Sequence, residues 1–207
     1  LLTDSTVLET NIGTSIKSYI QDSLEKFDQK FRYSVLTSSI DNTNSSIRNS
    51  KTTVKYQMRI SPTTLAVAST YTMEFNNAIT KGTLTSTAFT ASDGYTYTLI
   101  DDSAGIVKLV RSTYTSATDS VTVDVPTTYM TLVSGSQNLG TIDYDTGKII
   151  LNSFIPYSIS DGKTYIKMTV TPKINNSDIT PLREQVITYD SFDTASIAIT
   201  MVAETIV

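Results

Sequence analysis

The chain has 207 residues and a formal net charge of −4, and it contains neither cysteine nor histidine. The missing cysteine excludes disulfides and thiolate metal sites, and the missing histidine removes the commonest general base and metal ligand. Charges are spread along the chain, without the basic stripe of a nucleic-acid-binding protein or the ~20-residue apolar run that spans a bilayer. We therefore expect no nucleic-acid, membrane or small-molecule partner.

The length suits one domain or two small ones, and the heavy use of threonine, serine, tyrosine, valine and isoleucine favours β-structure. The chain opens on Leu1 rather than methionine. We therefore expect it to be a piece of a longer polypeptide.

The first predicted element is an amphipathic helical segment from Thr14 to Asp41, with a second short helical turn near Ser34 to Ile40. Its apolar residues recur at steps of four, four, three and four, which places them on one helix face. They are Ile16, Ile20, Leu24, Phe27 and Phe31. A helix of about four turns is marginal alone in water, so this face must be covered by the chain's own sheet or by a helix of another chain. The spacing leaves both readings open.

From residue 52 the apolar period changes to two, which predicts strands. Val54 to Ile60 alternates apolar with polar residues and ends before Pro62, and Thr70 to Phe75 is a second alternating run. Residues 80–137 are predicted to form a β-rich insertion, because turn residues separate short apolar runs at 83–89, 96–100, 106–111 and 120–125.

The strongest local prediction is a hairpin in which the strands 140–144 and 148–151 flank Asp145-Thr146-Gly147. Glycine in the third loop position supplies the positive φ that such a loop requires. Further strands are predicted at 164–171, 186–189 and 196–202.

These elements predict an α+β fold that is mostly β. An N-terminal amphipathic helix would precede an antiparallel sheet or sandwich that carries the β-rich insertion. The predicted segments are a helical part, 1–50, a β domain, 51–79 with 138–207, and an inserted subdomain, 80–137.

Carboxylates lie close together in three places, and paired carboxylates can hydrolyse glycosides or bind hard cations. The places are Asp101-Asp102, Asp143 with Asp145, and Asp190 with Asp193. Each is a strand end or loop, where aspartate is common for turn reasons alone. Nucleotide-binding and nucleophile motifs are missing from the sequence. We therefore expect no enzyme, cofactor or metal site.

Two runs at the C-terminal end of the helical segment, the second of which extends beyond it, resemble a known family. These runs are 30–36, Lys-Phe-Arg-Tyr-Ser-Val-Leu, and 39–47, which opens Ser-Ile-Asp. With 71–79 they resemble the large baseplate wedge protein of contractile-tailed phages of the T-even type, within the baseplate J-like group. Looser similarity covers 140–151 and 180–187, and residues 80–137 match nothing in that family.

The resemblance implies a structural protein of the virion tail baseplate that pairs with a second copy of itself and with other wedge subunits. It implies no catalytic residues. Repeated copies need apolar stripes or unpaired strand edges on each copy. The candidate interface residues are Ile16, Ile20, Leu24, Phe27, Phe31, Arg32, Tyr33, Ile197, Ile199 and Met201.

Two alternatives remain open from the sequence. A glycan- or receptor-binding β module of a fibre or adhesin would use aromatic side chains as stacking platforms, here Tyr95, Tyr97, Tyr114 and Tyr129. The second alternative is a hydrolase whose catalytic groups are carboxylates.

Overall fold

The computed structural model describes residues 4–111, 139–173, 178–182 and 184–202. The chain divides into two compact units. The helical unit comprises Leu1–Thr53 and Asn176–Val207, and the sheet unit comprises Val54–Asn175.

The N-terminal part of the helical unit contains two helices, α1 (Ser5–Tyr19) and α2 (Tyr33–Asp41), and α1 continues as a π-helical turn, Ile20–Leu24. Asp4 begins α1, because its side chain accepts a hydrogen bond of 2.9 Å from the Thr6 amide. The helix therefore starts well before the predicted Thr14.

The predicted helical segment is also interrupted, which the regular apolar spacing did not indicate. The helical path ends at Leu24, and Asp28 in the turn that follows has a φ of 61°, a left-handed conformation. Phe31 then pairs with Ile179, and the two residues exchange backbone hydrogen bonds of 3.0 and 2.9 Å. This long-range pairing overrides the local helical period, so Phe31 does not lie on the same helix as Ile16.

The C-terminal part of the helical unit contains no strand in its described residues, 178–182 and 184–202. The prediction of strands at 186–189 and 196–202 was therefore wrong. Backbone bonds from Gln185 to Leu182 and from Ser196 to Asp193 form turns instead. Alternation alone does not make a strand, because a strand also needs a neighbour to accept its backbone hydrogen bonds.

The sheet unit contains ten strands in the described part of the chain, and each paired neighbour runs antiparallel. They are β1 (Tyr56–Ile60), β2 (Ser69–Glu74), β3 (Thr85–Ser86), β4 (Phe89–Thr90), β5 (Thr96–Asp101), β6 (Ile106–Arg111), β7 (Gly140–Asp143), β8 (Lys148–Phe154), β9 (Ser158–Ile159) and β10 (Ile166–Val170). The strand order is β1-β10-β3-β5-β6-β7-β8-β2, and β4 joins β5 to β9 beside this path. The predicted mostly-β α+β class is confirmed, with an N-terminal helix before a nearly closed antiparallel sheet.

The sheet curls around an apolar core, because alternate residues on each strand face inward. On β5 the buried residues are Tyr97, Leu99 and Asp101, and the residues between them are half-buried. The fully buried side chains of the unit include Phe89, Val107, Ile149, Leu151, Phe154, Ile166 and Met168. Each such apolar side chain contributes on the order of 2 kcal/mol when removed from water.

The predicted hairpin is confirmed as β7 and β8. Gly147 has a φ of 70°, and a Cβ atom there would collide with the backbone oxygen of Asn77. The Phe75 amide donates to the Gly147 carbonyl at 3.1 Å. The loop therefore needs glycine both for its conformation and for its close packing against residues 75–77.

Part of the predicted insertion belongs to this sheet. β3 to β6 lie within residues 80–111 and pair with β10 and β7, which the sequence assigned to the other β segment. Residues 112–137, including the predicted strand at 120–125, lie outside the described residues. The separate subdomain and its boundaries stay a prediction.

Candidate functional site: apolar surfaces for subunit contacts

The predicted interface stripe contains both buried and exposed residues. Leu24 is 1% exposed and Phe31 is also buried, whereas Phe27 between them is 65% exposed. Ile16 and Ile20 are half-buried. Burial of Leu24 and Phe31 leaves them little surface for a partner, so Phe27 is the residue of the stripe that is best placed to contact one.

Phe27 projects from a turn whose backbone is held at several points. The Glu25 amide donates to the Ile20 carbonyl at 3.0 Å, and the Lys26 amide donates to the Leu24 carbonyl at 2.7 Å. The Lys26 ammonium also donates to the carbonyl oxygen of Asp22 at 2.6 Å. An exposed aromatic ring on a fixed backbone loses little conformational entropy when a partner covers it.

The Phe-Arg-Tyr run of the resemblance has a structural role in the helical unit. The Arg32 amide donates to the Tyr19 hydroxyl at 3.1 Å, and the rings of Tyr19 and Phe31 lie 6.2 Å apart. The Tyr33 hydroxyl donates to the Thr52 carbonyl at 2.8 Å. Tyr33 is half-buried and Arg32 is exposed, so this run anchors the connection between α1 and α2 and leaves one cation at the surface.

The three remaining candidates lie on the C-terminal segment 196–202. Ile197, Ile199 and Met201 are half-buried, and the residues between them are exposed. A Cβ atom on Gly13 of α1 would lie 3.7 Å from the Ile199 Cδ1 atom, so the Ile199 side chain lies against α1. The alternating exposure indicates an extended chain with its other face open to solvent.

The helical unit carries exposed apolar side chains that the sequence analysis did not select. They are Val7, Val35, Val186, Phe192 and Val202. Phe192 is 80% exposed, and its amide donates to the Asp190 carboxylate at 3.2 Å. The Asp-Ser-Phe-Asp run could have revealed it, because an aromatic residue between turn-forming aspartates cannot easily turn inward. Leu8 and Ile12 of α1 are core residues that were also missed.

The Asp101 carboxylate, the first of the predicted Asp101-Asp102 pair, is held by hydrogen bonds within the fold. The buried Asp101 accepts bonds from the amides of Gly82 and Leu84, at 2.6 and 2.8 Å, and from the Tyr144 hydroxyl at 2.6 Å. Burial, followed by the hydrogen bond to Asp101, raises the pKa of Tyr144 above its ordinary value. A carboxylate that already accepts three hydrogen bonds from the protein stabilises the surrounding backbone and is poorly placed to bind a substrate.

The other carboxylates serve turns and an ion pair. Asp102 lies 3.0 Å from the Lys108 ammonium, and the hydrogen bond from Lys108 is the largest cause that lowers the pKa of Asp102 to about 2. The hydrogen bond from the Thr146 side chain similarly lowers the pKa of Asp143 at the end of β7. Among the described residues, no three acidic side chains are grouped so that they could hold a metal ion.

The tyrosine platform of the glycan-binding reading does not form as predicted. Tyr97 is fully buried in the sheet core, where its hydroxyl donates to Asp93 at 2.6 Å, so its ring has no face open to a sugar. Tyr95 is half exposed, and Tyr114 and Tyr129 lie outside the described residues. The inward position of Tyr97 follows from alternation on β5, because neighbouring odd-numbered residues share one face.

A pocket of about 30 Å³ opens between β4, β6 and β8. It is lined mainly by apolar side chains, including Phe89, Leu109, Leu139, Phe154 and Ile155. This volume is about that of one water molecule and is far too small for a sugar ring.

Within the ranges described, the helices are too short or too polar to traverse a bilayer.

Comparison with known protein families gives a match over the N-terminal part of the chain. Residues 1–59 match the model of the family described as baseplate structural protein gp6, C-terminal domain III. No curated protein matches the chain significantly. The matched region contains α1, α2, the exposed Phe27 between them and all of β1 except its last residue, Ile60. The family match supports a structural protein, rather than an enzyme, and places it in the tail baseplate of a phage virion among other baseplate subunits.

Proposed function

We propose that this chain is a structural subunit of the baseplate wedge of a contractile phage tail. It holds neighbouring wedge subunits, including a second copy of itself, through its helical surface and its C-terminal extended segment. The family match to residues 1–59 and the resemblance of residues 30–47 and 71–79 support this role. The sheet unit supplies a rigid body that fixes spacing, and the apolar surfaces of the helical unit supply the contacts.

The exposure of Phe27 carries the proposal. Aromatic side chains are enriched at protein interfaces and dominate their binding energy, whereas a mostly solvated aromatic ring contributes little to the stability of the isolated fold. Phe27 and Phe192 are the two most exposed aromatic residues in the described chain, and both belong to the helical unit. Exposed aromatic rings on hydrogen-bonded turns are typical of contact regions.

A substitution of Phe27 by aspartate tests the role. We expect Phe27→Asp to weaken self-association about 30-fold, since loss of an interface anchor costs about 2 kcal/mol. Sedimentation equilibrium over a range of concentrations measures the change. The matched control is Tyr95→Asp, which places the same charge at an exposed aromatic position of the sheet unit. Equal association of both variants and the original chain would contradict the use of this surface.

The glycan-binding alternative has less support, because Tyr97 is buried and the pocket beside β4 holds only about one water molecule. A glycan array on the full chain distinguishes the two functions. Specific retention of one glycan class, abolished by Tyr95→Ala, would favour the alternative.

A further inference from the structure

The sheet unit contains the same short sequence twice, Ser-Asp-Gly-x-Thr-Tyr, at residues 92–97 and 160–165. In an Asp-Gly pair the glycine nitrogen can attack the aspartate side chain, because the glycine has no Cβ atom to hinder the approach. The aspartate and the glycine are exposed in both copies. A Cβ atom on Gly94 or Gly162 would meet no heavy atom within 4 Å. Sequence, exposure and space therefore do not distinguish the two pairs, and the difference lies in their hydrogen bonds.

The aspartate of the first copy is held in place by the sheet. The Asp93 carboxylate accepts a hydrogen bond of 3.0 Å from the Tyr95 amide and another of 2.6 Å from the Tyr97 hydroxyl. Tyr97 is fully buried, so it ties the carboxylate to the rigid strand β5. The Gly94 amide is also engaged, since it donates to the Ala91 carbonyl at 3.0 Å. The side chain therefore cannot turn onto the glycine nitrogen unless these bonds break.

The aspartate of the second copy lies in a turn that leaves its carboxylate in water. Asp161 and Gly162 have φ angles of 61° and 65°, the left-handed pair of a two-residue type I′ turn. The Lys163 amide closes the turn on the Ser160 carbonyl at 3.4 Å, which is longer than the usual range of ~2.7–3.2 Å. Within the described part of the chain, the Asp161 carboxylate makes neither a hydrogen bond nor an ion pair. Its side chain is therefore free to rotate toward the neighbouring amide.

We propose that Asp161-Gly162 is a site of spontaneous isoaspartate formation and that the fold protects Asp93-Gly94 from the same reaction. The Gly162 nitrogen attacks Cγ of the protonated Asp161 carboxyl group. A C–N bond forms, and the carboxyl hydroxyl leaves with the amide proton as water. A second water molecule then opens the five-membered imide at either carbonyl. Opening at the original main-chain carbonyl leaves an α-carboxylate and a main chain that runs through the Asp161 Cβ and Cγ atoms. Nothing is oxidised or reduced, and the product has the mass of the original chain.

The reaction lengthens the main chain by one atom inside the turn. A type I′ turn has two central residues whose conformation sets the direction of the flanking segments, so an added atom changes that direction. β9 ends directly before the turn and is joined to β4, where Phe89 pairs with Ile159. The Ser160 amide also donates to the Ala88 carbonyl at 3.2 Å. Isoaspartate at position 161 should therefore loosen β9 from β4, and with it one end of the sheet.

Storage of the full chain at neutral pH and physiological temperature tests the proposal. Digestion and mass spectrometry with electron-transfer fragmentation count isoaspartate at each position, because this method cleaves the Cα–Cβ bond that lies in the isoaspartyl main chain. We expect isoaspartate to accumulate at least about tenfold faster at position 161 than at position 93. The reason is that reaction at Asp93 first requires the loss of hydrogen bonds that each slow it about fivefold.

The repeated sequence supplies a matched control within one molecule. In chain unfolded by urea the two positions should react at similar rates, because five of the six residues around them are identical. Tyr97→Phe supplies a second control, because it removes the hydroxyl donor and keeps the buried ring. It should raise the rate at Asp93 in the folded chain about fivefold and leave the rate at Asp161 unchanged.

Equal rates at the two positions of the folded chain, or a faster reaction at Asp93, would overturn the proposal. A difference of the same size in urea would also overturn it, because the local sequence and not the fold would then be its cause. The readout is a covalent change in a single chain, so the outcome is independent of the proposed assembly function.

Discussion

Replacement of Asp101 by alanine tests whether a buried carboxylate holds the segment before β3 against β5. Its oxygens accept buried bonds from the Leu84 amide and the Tyr144 hydroxyl and a partly buried bond from the Gly82 amide. A buried donor without an acceptor costs about 1–3 kcal/mol. Water can reach the Gly82 amide, so the two buried donors dominate and we expect Asp101→Ala to lose about 3–5 kcal/mol. That is a large share of the ~5–15 kcal/mol stability of a typical domain.

Urea unfolding followed by far-UV circular dichroism measures this change in the free energy of unfolding. Asp145→Ala is the control, because the Asp145 side chain is 83% exposed and contacts only the exposed Lys173 ammonium, at 2.8 Å, among the described ion pairs. The control should change stability by less than about 0.5 kcal/mol. Tyr144→Phe should fall between the two, since it removes one of the three donors. A loss below about 1 kcal/mol for Asp101→Ala would refute the view that this carboxylate organises the sheet.

Other predictions concern packing, backbone conformation and pH. Leu24→Ala should destabilise the helical unit by about 2–5 kcal/mol by leaving a cavity, and an unchanged urea midpoint would show that Leu24 is not core. Gly147→Ala should destabilise more than Gly94→Ala by at least about 1 kcal/mol, because both glycines have positive φ but only Gly147 packs against backbone; equal melting temperatures would contradict this. Burial raises the pKa of Tyr56 to about 12, above its unfolded value. The contribution of the protonated hydroxyl to the free energy of unfolding is therefore complete below about pH 10 and is lost as the pH rises toward 12. Tyr56→Phe should flatten the alkaline fall in stability, and an unchanged pH profile would argue against this cause. The pKa of Asp102 is lowered to about 2, so the contribution of its carboxylate to the free energy of unfolding is present above about pH 4 and is lost as the pH falls toward 2. Asp102→Asn should remove this acid-dependent loss from the pH profile of unfolding. An identical profile for the variant would contradict this cause.

The strands were predictable where the chain alternates and a turn residue follows. The β7–β8 hairpin and β1 have this property, since Gly147 permits the loop and Pro62 follows the end of β1. In these places the local preference and the tertiary arrangement agree, so the sequence pattern alone is sufficient. The first strand of the predicted insertion, 83–89, forms only as the short β3 and β4.

The interruption of the helical segment could not be predicted from periodicity. Phe31 has the spacing of a helix residue, but its backbone pairs with Ile179, which lies far away in the chain. The C-terminal segment shows the opposite error, because 196–202 has strand alternation but no ladder in the described chain. In both cases the outcome depends on a long-range partner, and a local pattern contains no information about that partner.

The candidate site was predictable only as a region. The apolar stripe marked one face of the first helical segment and left core and interface open, and it could not separate the buried Leu24 from the exposed Phe27. That difference arises from the turn at residues 25–28, where Asp28 takes a left-handed conformation. Phe192 was missed because isolated aromatic residues in loops carry no periodic signal.

The central claim is that this chain acts by contacting neighbouring baseplate subunits through exposed apolar side chains. Oxidative footprinting of the isolated chain and of the chain within intact tail baseplates tests it most directly, because both states report the same side chains. Our account predicts strong protection of Phe27, and of Met201 on the C-terminal segment, only in the assembled baseplate. Equal oxidation of these residues in both states would contradict it.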